Sequence, residues 1–131
     1  MFAAGAARDL GASLIVLVAP YLAYMRQDKR FHTGEAITSR TFAAMLSAAV
    51  DGLVTVDPHL HRYHALDEIY RVPTRVVASA PAIARWVRKN VANPLLIGPD
   101  TESEQWVAAV ARDAGAPGIV LQKDPSRRPG C

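Results

Sequence analysis

The chain has 131 residues, with 15 Lys and Arg against 12 Asp and Glu, a formal charge of +3, and half of its residues hydrophobic. That length suits one domain with a buried core, and the apolar fraction excludes intrinsic disorder. A charge of +3 is too mild for the basic stripe that neutralises many nucleic-acid phosphates, so the expected partner is an anionic small ligand and not nucleic acid.

Taken in chain order, residues 2–12 read as a helix, and Leu14-Ile15-Val16-Leu17-Val18 is a compact, largely β-branched run closed by Pro20. The surrounding uncharged stretch, Leu10 to Met25, contains Pro20 and falls short of the roughly 20 apolar residues that a membrane helix needs. Met1-Phe2-Ala3-Ala4 lacks the basic start of a signal peptide, and the one cysteine, Cys131, permits no intrachain disulfide. A cytoplasmic protein with no membrane partner is expected. Phe42, Met45, Leu46, Ala49 and Val50 fall on one face of a helix, and Leu53-Val54-Thr55-Val56 is a second strand entered through Asp51-Gly52. Arg75-Val76-Val77 is a weaker strand. Pro81 suits a helical first turn, with Ile83, Val87 and Val91 following at intervals of four. Leu95-Leu96-Ile97 is a strand that stops at Gly98-Pro99. Thr101 with Glu104 predicts a capping box, Trp106, Val107, Val110, Ala111 and Ala114 an apolar stripe, and Gly115 the helix stop. Ile119-Val120-Leu121 is the last strand, and residues 124–131 read as a disordered tail.

Strands alternating with helices imply an α/β fold: an open, mostly parallel sheet with flanking helices, its short apolar strands covered on both faces, in a single domain over residues 1–123. In such sheets ligands collect beyond the carboxyl ends of the strands. Beyond the first strand stands Arg26-Gln27-Asp28-Lys29-Arg30, whose arginines could fork onto phosphate or stack on a base. Beyond the second stand Asp57, His59, His61 and His64, a carboxylate among imidazoles that could hold Mg²⁺ or zinc. Asp100 follows the third strong run, where the cap needs only Thr101, and a metal or ligand role is open to it. Lys123 ends the last strand.

These segments carry a resemblance. Tyr21-Leu22-Ala23-Tyr24-Met25-Arg26-Gln27-Asp28-Lys29, Glu35-Ala36-Ile37-Thr38, Val54-Thr55-Val56-Asp57-Pro58-His59, Leu96-Ile97-Gly98-Pro99-Asp100 and Ile119-Val120-Leu121-Gln122-Lys123 are similar, in order and spacing, to ribose-phosphate pyrophosphokinases. The resemblance implies a phosphoribosyltransferase-like three-layer sandwich. It also implies transfer of diphosphate from ATP to ribose 5-phosphate with Mg²⁺, in a homo-oligomer serving nucleotide biosynthesis. By the same resemblance Arg26 and Gln27 contact ATP, His59 and Asp100 serve Mg²⁺, with Asp57 beside them, and Lys123 is catalytic. The segments cover the middle of the family's length, without its Thr-rich acidic ribose-phosphate loop, so the 131 residues alone are expected to be inactive. Where the family continues its Asp-x-His with small residues and Gln, this chain has His61, Arg62 and His64. Two other readings are a small zinc hydrolase built on Asp57, His59, His61 and His64, and a non-catalytic subunit-interaction module.

Overall fold

The computed structural model describes residues 1–122. Lys123, the candidate catalytic residue, and the tail at 124–131 lie outside the described residues. The chain forms two compact units, residues 1–78 and residues 79 onward.

In the first unit, helix α1 (Phe2–Asp9) precedes strand β1 (Val16–Ala19), helix α2 (Thr38–Ala49), strand β2 (Gly52–Val56) and strand β3 (Thr74–Val77). The three strands pair in parallel in the order β1-β2-β3, with Leu17 beside Leu53 and Leu53 beside Thr74. Antiparallel neighbours could be joined by a tight hairpin, but parallel ones need a long return path. Helix α2 carries the chain from β1 back to β2, and an irregular segment with one short 3-10 turn at Leu66–Glu68 carries it from β2 to β3. The core consists of Leu22, Met25, Ala43, Leu46, Leu53, Tyr63, Leu66 and Tyr70.

Two details differ from the periodicity. The buried stripe of α2 runs through Ser39, Ala43 and Leu46, and Met45 is exposed. The cause is Ser39, whose hydroxyl lies 3.1 Å from that of Tyr63, so a polar pair inside the core sets the rotation of the helix. Strand β1 is also not covered on both faces. Leu17 packs against the core, whereas its neighbours Val16 and Val18 are exposed, the latter by 65%. Successive strand residues point to opposite faces, and here one of the two is open.

The second unit contains α3 (Ala80–Asn90), β4 (Leu96–Gly98), a 3-10 turn at Thr101–Ser103, α4 (Glu104–Ala114) and β5 (Gly118–Val120). Pro81 stands in the first turn of α3, where its missing N–H costs nothing, and Gly115 ends α4 with φ of 67°. Strands β4 and β5 pair in parallel, Ile97 beside Ile119. Ala80, Ala84, Val87, Val110 and Ala114 form the core, small side chains that let α3 and α4 approach closely. Ile83 and Val91, predicted on the inner face of α3, are exposed. The parallel strands and flanking helices establish the expected α/β class.

Candidate functional site

Because β1 and β2 are parallel neighbours, with Ala19 beside Thr55, the segments that leave them depart from the same edge of the first sheet. One carries Arg26 and Gln27, the other Asp57 and His59. Backbone strain marks both exits. Tyr24 has φ of 62° and Asp57 φ of 38°, in the left-handed region that non-glycine residues seldom occupy. Such conformations persist where the surroundings over-determine them, and functional sites are where they gather.

The first exit is held at several points. Past Tyr24 the chain closes a turn in which the Gln27 N–H donates to the Tyr24 carbonyl at 3.0 Å. The Gln27 carbonyl in turn accepts from the Ser39 N–H, in the first turn of α2, at 3.2 Å. The Tyr24 ring lies tilted against Phe42, centroids 4.9 Å apart. Arg26 and Gln27 are exposed, and so are Lys29 and Arg30. Asp28 points the other way. Its side chain is 1% exposed and accepts two hydrogen bonds from Arg62 Nη1, at 2.9 and 3.1 Å. The one acid of the Arg26–Arg30 segment is therefore matched inside the protein, and the exposed surface of that segment is cationic.

Beyond Asp28 the Lys29 ammonium lies 5.1 Å above the Phe31 ring. Glu35 accepts from the His32 ring and from the main-chain N–H groups of His32 and Phe31. Those bonds, the His32 side chain first, hold the Glu35 carboxyl below its ordinary range.

The second exit begins at Asp57, whose N–H donates to the Val77 carbonyl at 3.2 Å. Asp57 and His59 are half-buried, Pro58 is buried, and His61 and His64 are exposed. The His59 and His61 rings stack with centroids 5.9 Å apart. The His64 N–H, with that of Ala65, caps onto the Glu68 carboxylate. Among the described residues no three His, Asp or Glu side chains gather as a metal cage. This speaks against the zinc reading: the His59 and His61 rings lie side by side, but no third ligand gathers with them. Magnesium asks for less, since it takes one or two protein carboxylates and completes its shell with phosphate oxygens and water. Asp57 and His59 at one strand end fit that smaller demand.

Asp100 stands in the second unit, immediately after β4 and its Gly98-Pro99 exit. The sequence assigned capping to Thr101 with Glu104. The structure gives it to Asp100, whose Oδ1 accepts from the Ser103 N–H at 3.2 Å while Ser103 Oγ donates back to the Asp100 carbonyl. Gly98 makes this possible, because a Cβ there would meet Ser103 Oγ at 2.5 Å and Val107 Cγ2 at 2.8 Å. Arg62 is the residue that sequence reasoning passed over. Its departure from the resembling pattern was visible, but its pairing with a residue 34 positions earlier was not.

Comparison with known proteins agrees with this architecture. Residues 1–49 match the family profile described as the N-terminal domain of ribose phosphate pyrophosphokinase. A ribose-phosphate pyrophosphokinase of Saccharolobus solfataricus is 33% identical over 124 residues, which is 94% of this chain and 42% of that protein. That of Halobacterium salinarum is 35% identical over 114 residues, 87% of this chain and 39% of the relative. The crystal structure of phosphoribosylpyrophosphate synthetase from Mycobacterium smegmatis superposes with a TM-score of 0.72 at 20% identity, over 94% of this chain and 42% of that one. The chain thus spans about two fifths of the length of these relatives. In sequence it is similar to ribose-phosphate pyrophosphokinases, and its fold is similar to that of the synthetase.

Proposed function

We propose that this chain supplies the nucleotide-and-metal rim of a ribose-phosphate diphosphokinase, the enzyme that transfers diphosphate from ATP to the 1-hydroxyl of ribose 5-phosphate for nucleotide biosynthesis. The observation that carries the proposal is the common departure of the Arg26–Gln27 and Asp57–His59 segments from one edge of the sheet, with Arg62 clasping Asp28 between them. Phosphoryl transfer is catalysed by positioning and by neutralising charge spread over oxygens, not by covalent chemistry from the protein. Arg26 offers a planar fork or a stacking face, and Gln27 an amide that can both donate and accept. Asp57 and His59 would hold Mg²⁺, whose charge would offset that of the transferring phosphates, and Asp100 is a further candidate metal ligand by its place in the sequence. Lys123 completes the set by its place in the sequence. Homo-oligomerisation and a cytoplasmic setting belong to the same proposal. Among the described residues no helix is long and apolar enough to cross a membrane.

The test is calorimetric titration of the 131-residue protein with Mg·ATP. Binding that requires Mg²⁺ is expected, weakened about tenfold or more by Arg26→Ala, the range for losing a charge-assisted hydrogen bond. Affinity that is absent, or indifferent to both Arg26→Ala and His59→Ala, overturns the proposal. With ATP and ribose 5-phosphate the same 131 residues are expected to make no phosphoribosyl pyrophosphate, and detectable product would overturn that part.

A further inference from the structure

Arg62 stands where the chain departs from the pattern it resembles, and its main contact is with the buried carboxylate of Asp28. Asp28 follows Gln27 directly, and Arg62 follows His59 by three residues, so the pair joins the two candidate binding segments at their bases. A second tie runs parallel to it: Ser39 donates from its N–H to the Gln27 carbonyl, and its hydroxyl meets Tyr63, the neighbour of Arg62. Between these ties the strained turn at Tyr24 has little freedom to relax. The demand falls on the carboxylate, which is 1% exposed: removing Arg62 leaves a buried charge unmatched, whereas water can still reach the guanidinium if Asp28 is neutralised.

We propose that Arg62 is a positioning residue for the nucleotide, fixing Arg26 and Gln27 relative to His59 through its grip on Asp28 rather than by touching the nucleotide itself. The proposal rests on the functional reading above and extends it to a residue outside the resembling motif. Arg62 is 40% exposed in its side chain, so direct contact with a phosphate is the rival role, and the two roles give different double-mutant cycles.

The experiment measures Mg·ATP affinity in the 131-residue protein and in Arg62→Ala, Arg62→Lys, Asp28→Asn and the double variant Asp28→Asn with Arg62→Ala. Arg62→Ala and Asp28→Asn are each expected to weaken binding about tenfold, the scale of one charge-assisted contact, with partial rescue by Arg62→Lys. Adding Arg62→Ala to Asp28→Asn is expected to change affinity by less than about twofold, since the contact is already broken. An unchanged affinity in Arg62→Ala overturns the proposal, as does an equal tenfold loss in both backgrounds. If Arg62→Ala alone does not fold around its unmatched carboxylate, the comparison of Asp28→Asn with the double variant decides, because neither carries a buried charge at position 28. Amide hydrogen exchange in ligand-free protein is the separate readout. Faster exchange at Gln27 and Ser39 in Asp28→Asn, with β2 unchanged, supports positioning; unchanged exchange at both overturns it. Absence of Mg·ATP binding by the parent protein would sink the functional reading and leave this second readout standing.

Discussion

Asp51 shows how much one side chain can organise. Read from the sequence it is the acid of an Asp-Gly turn before a strand. In the structure its Oδ2 accepts from the Ile15 N–H at 2.7 Å and from Arg8 at 2.8 Å, tying the approach to β1 and the end of α1 to the turn between α2 and β2. The Ile15 bond first, and the Arg8 bond next, hold the carboxyl below its ordinary value of 3.8. A folded pKa below the unfolded one means that the native state binds fewer protons, so the stabilisation is present above about pH 4 and is lost as pH falls through the folded value. Asn resembles the protonated acid. The stability of Asp51→Asn is therefore expected to lie below that of the parent at neutral pH and to converge with it below about pH 4. Denaturation midpoints measured from pH 7 to pH 2.5 would show this, and a constant gap would contradict it. Such roles were not legible beforehand. Asp51 with Ile15, like Asp28 with Arg62, depends on contacts between distant parts of the chain that no local pattern encodes.

At the scale of elements the sequence was more informative. Among the described residues, the five strands and four α-helices stand where apolar runs and helical spacing placed them, with ends displaced by a few residues. Local signals were read correctly where their cause is local, as with Pro81 and Gly115. They failed where a neighbouring element intervenes. The approach to α4 is the clearest case, because Thr101 looks like the cap in sequence, whereas in space Asp100 caps a 3-10 turn at Thr101–Ser103 that leads into the helix. Asp100 therefore has an observed role as a cap and a proposed one at the metal, which substitution can separate. Asp100→Ala is expected to cost about 1 kcal/mol of stability, the usual loss for a removed cap. Asp100→Ser keeps a capping oxygen but no carboxylate, so it should hold the stability within about 0.5 kcal/mol while weakening any Mg²⁺-dependent binding. Equal destabilisation by both variants in chemical denaturation would show that the cap is not what Asp100 contributes to the fold.

For the whole molecule, the fold class was legible because parallel strands leave two signs, continuous apolar runs and intervening helices, and both are present. The side of β1 that carries Val16 and Val18 is open, which apolar runs alone could not disclose, since they look the same whether one face or two are covered. The two units also differ in what holds them. The first buries Leu22, Met25, Leu46, Leu53, Tyr63, Leu66 and Tyr70, with the Tyr70 hydroxyl so withdrawn from water that its pKa is pushed up to about 12. Among the described residues the second buries three alanines and two valines. Burial of a large apolar side chain is worth about 1.5–3 kcal/mol, against about 0.8 kcal/mol for a single methyl-sized group, so the cores are unequal by several side chains' worth of stabilisation. Local opening follows the density of buried apolar contacts. Amides of β2 and α2 are accordingly expected to exchange at least about tenfold more slowly than those of β4 and β5, a difference of only about 1.4 kcal/mol in opening free energy. Mass-spectrometric hydrogen exchange on the 131-residue protein resolves these segments. Equal protection in the two units, or greater protection in the second, would mean that the alanine-lined contact of α3 with α4 is far stronger than its buried side chains can account for.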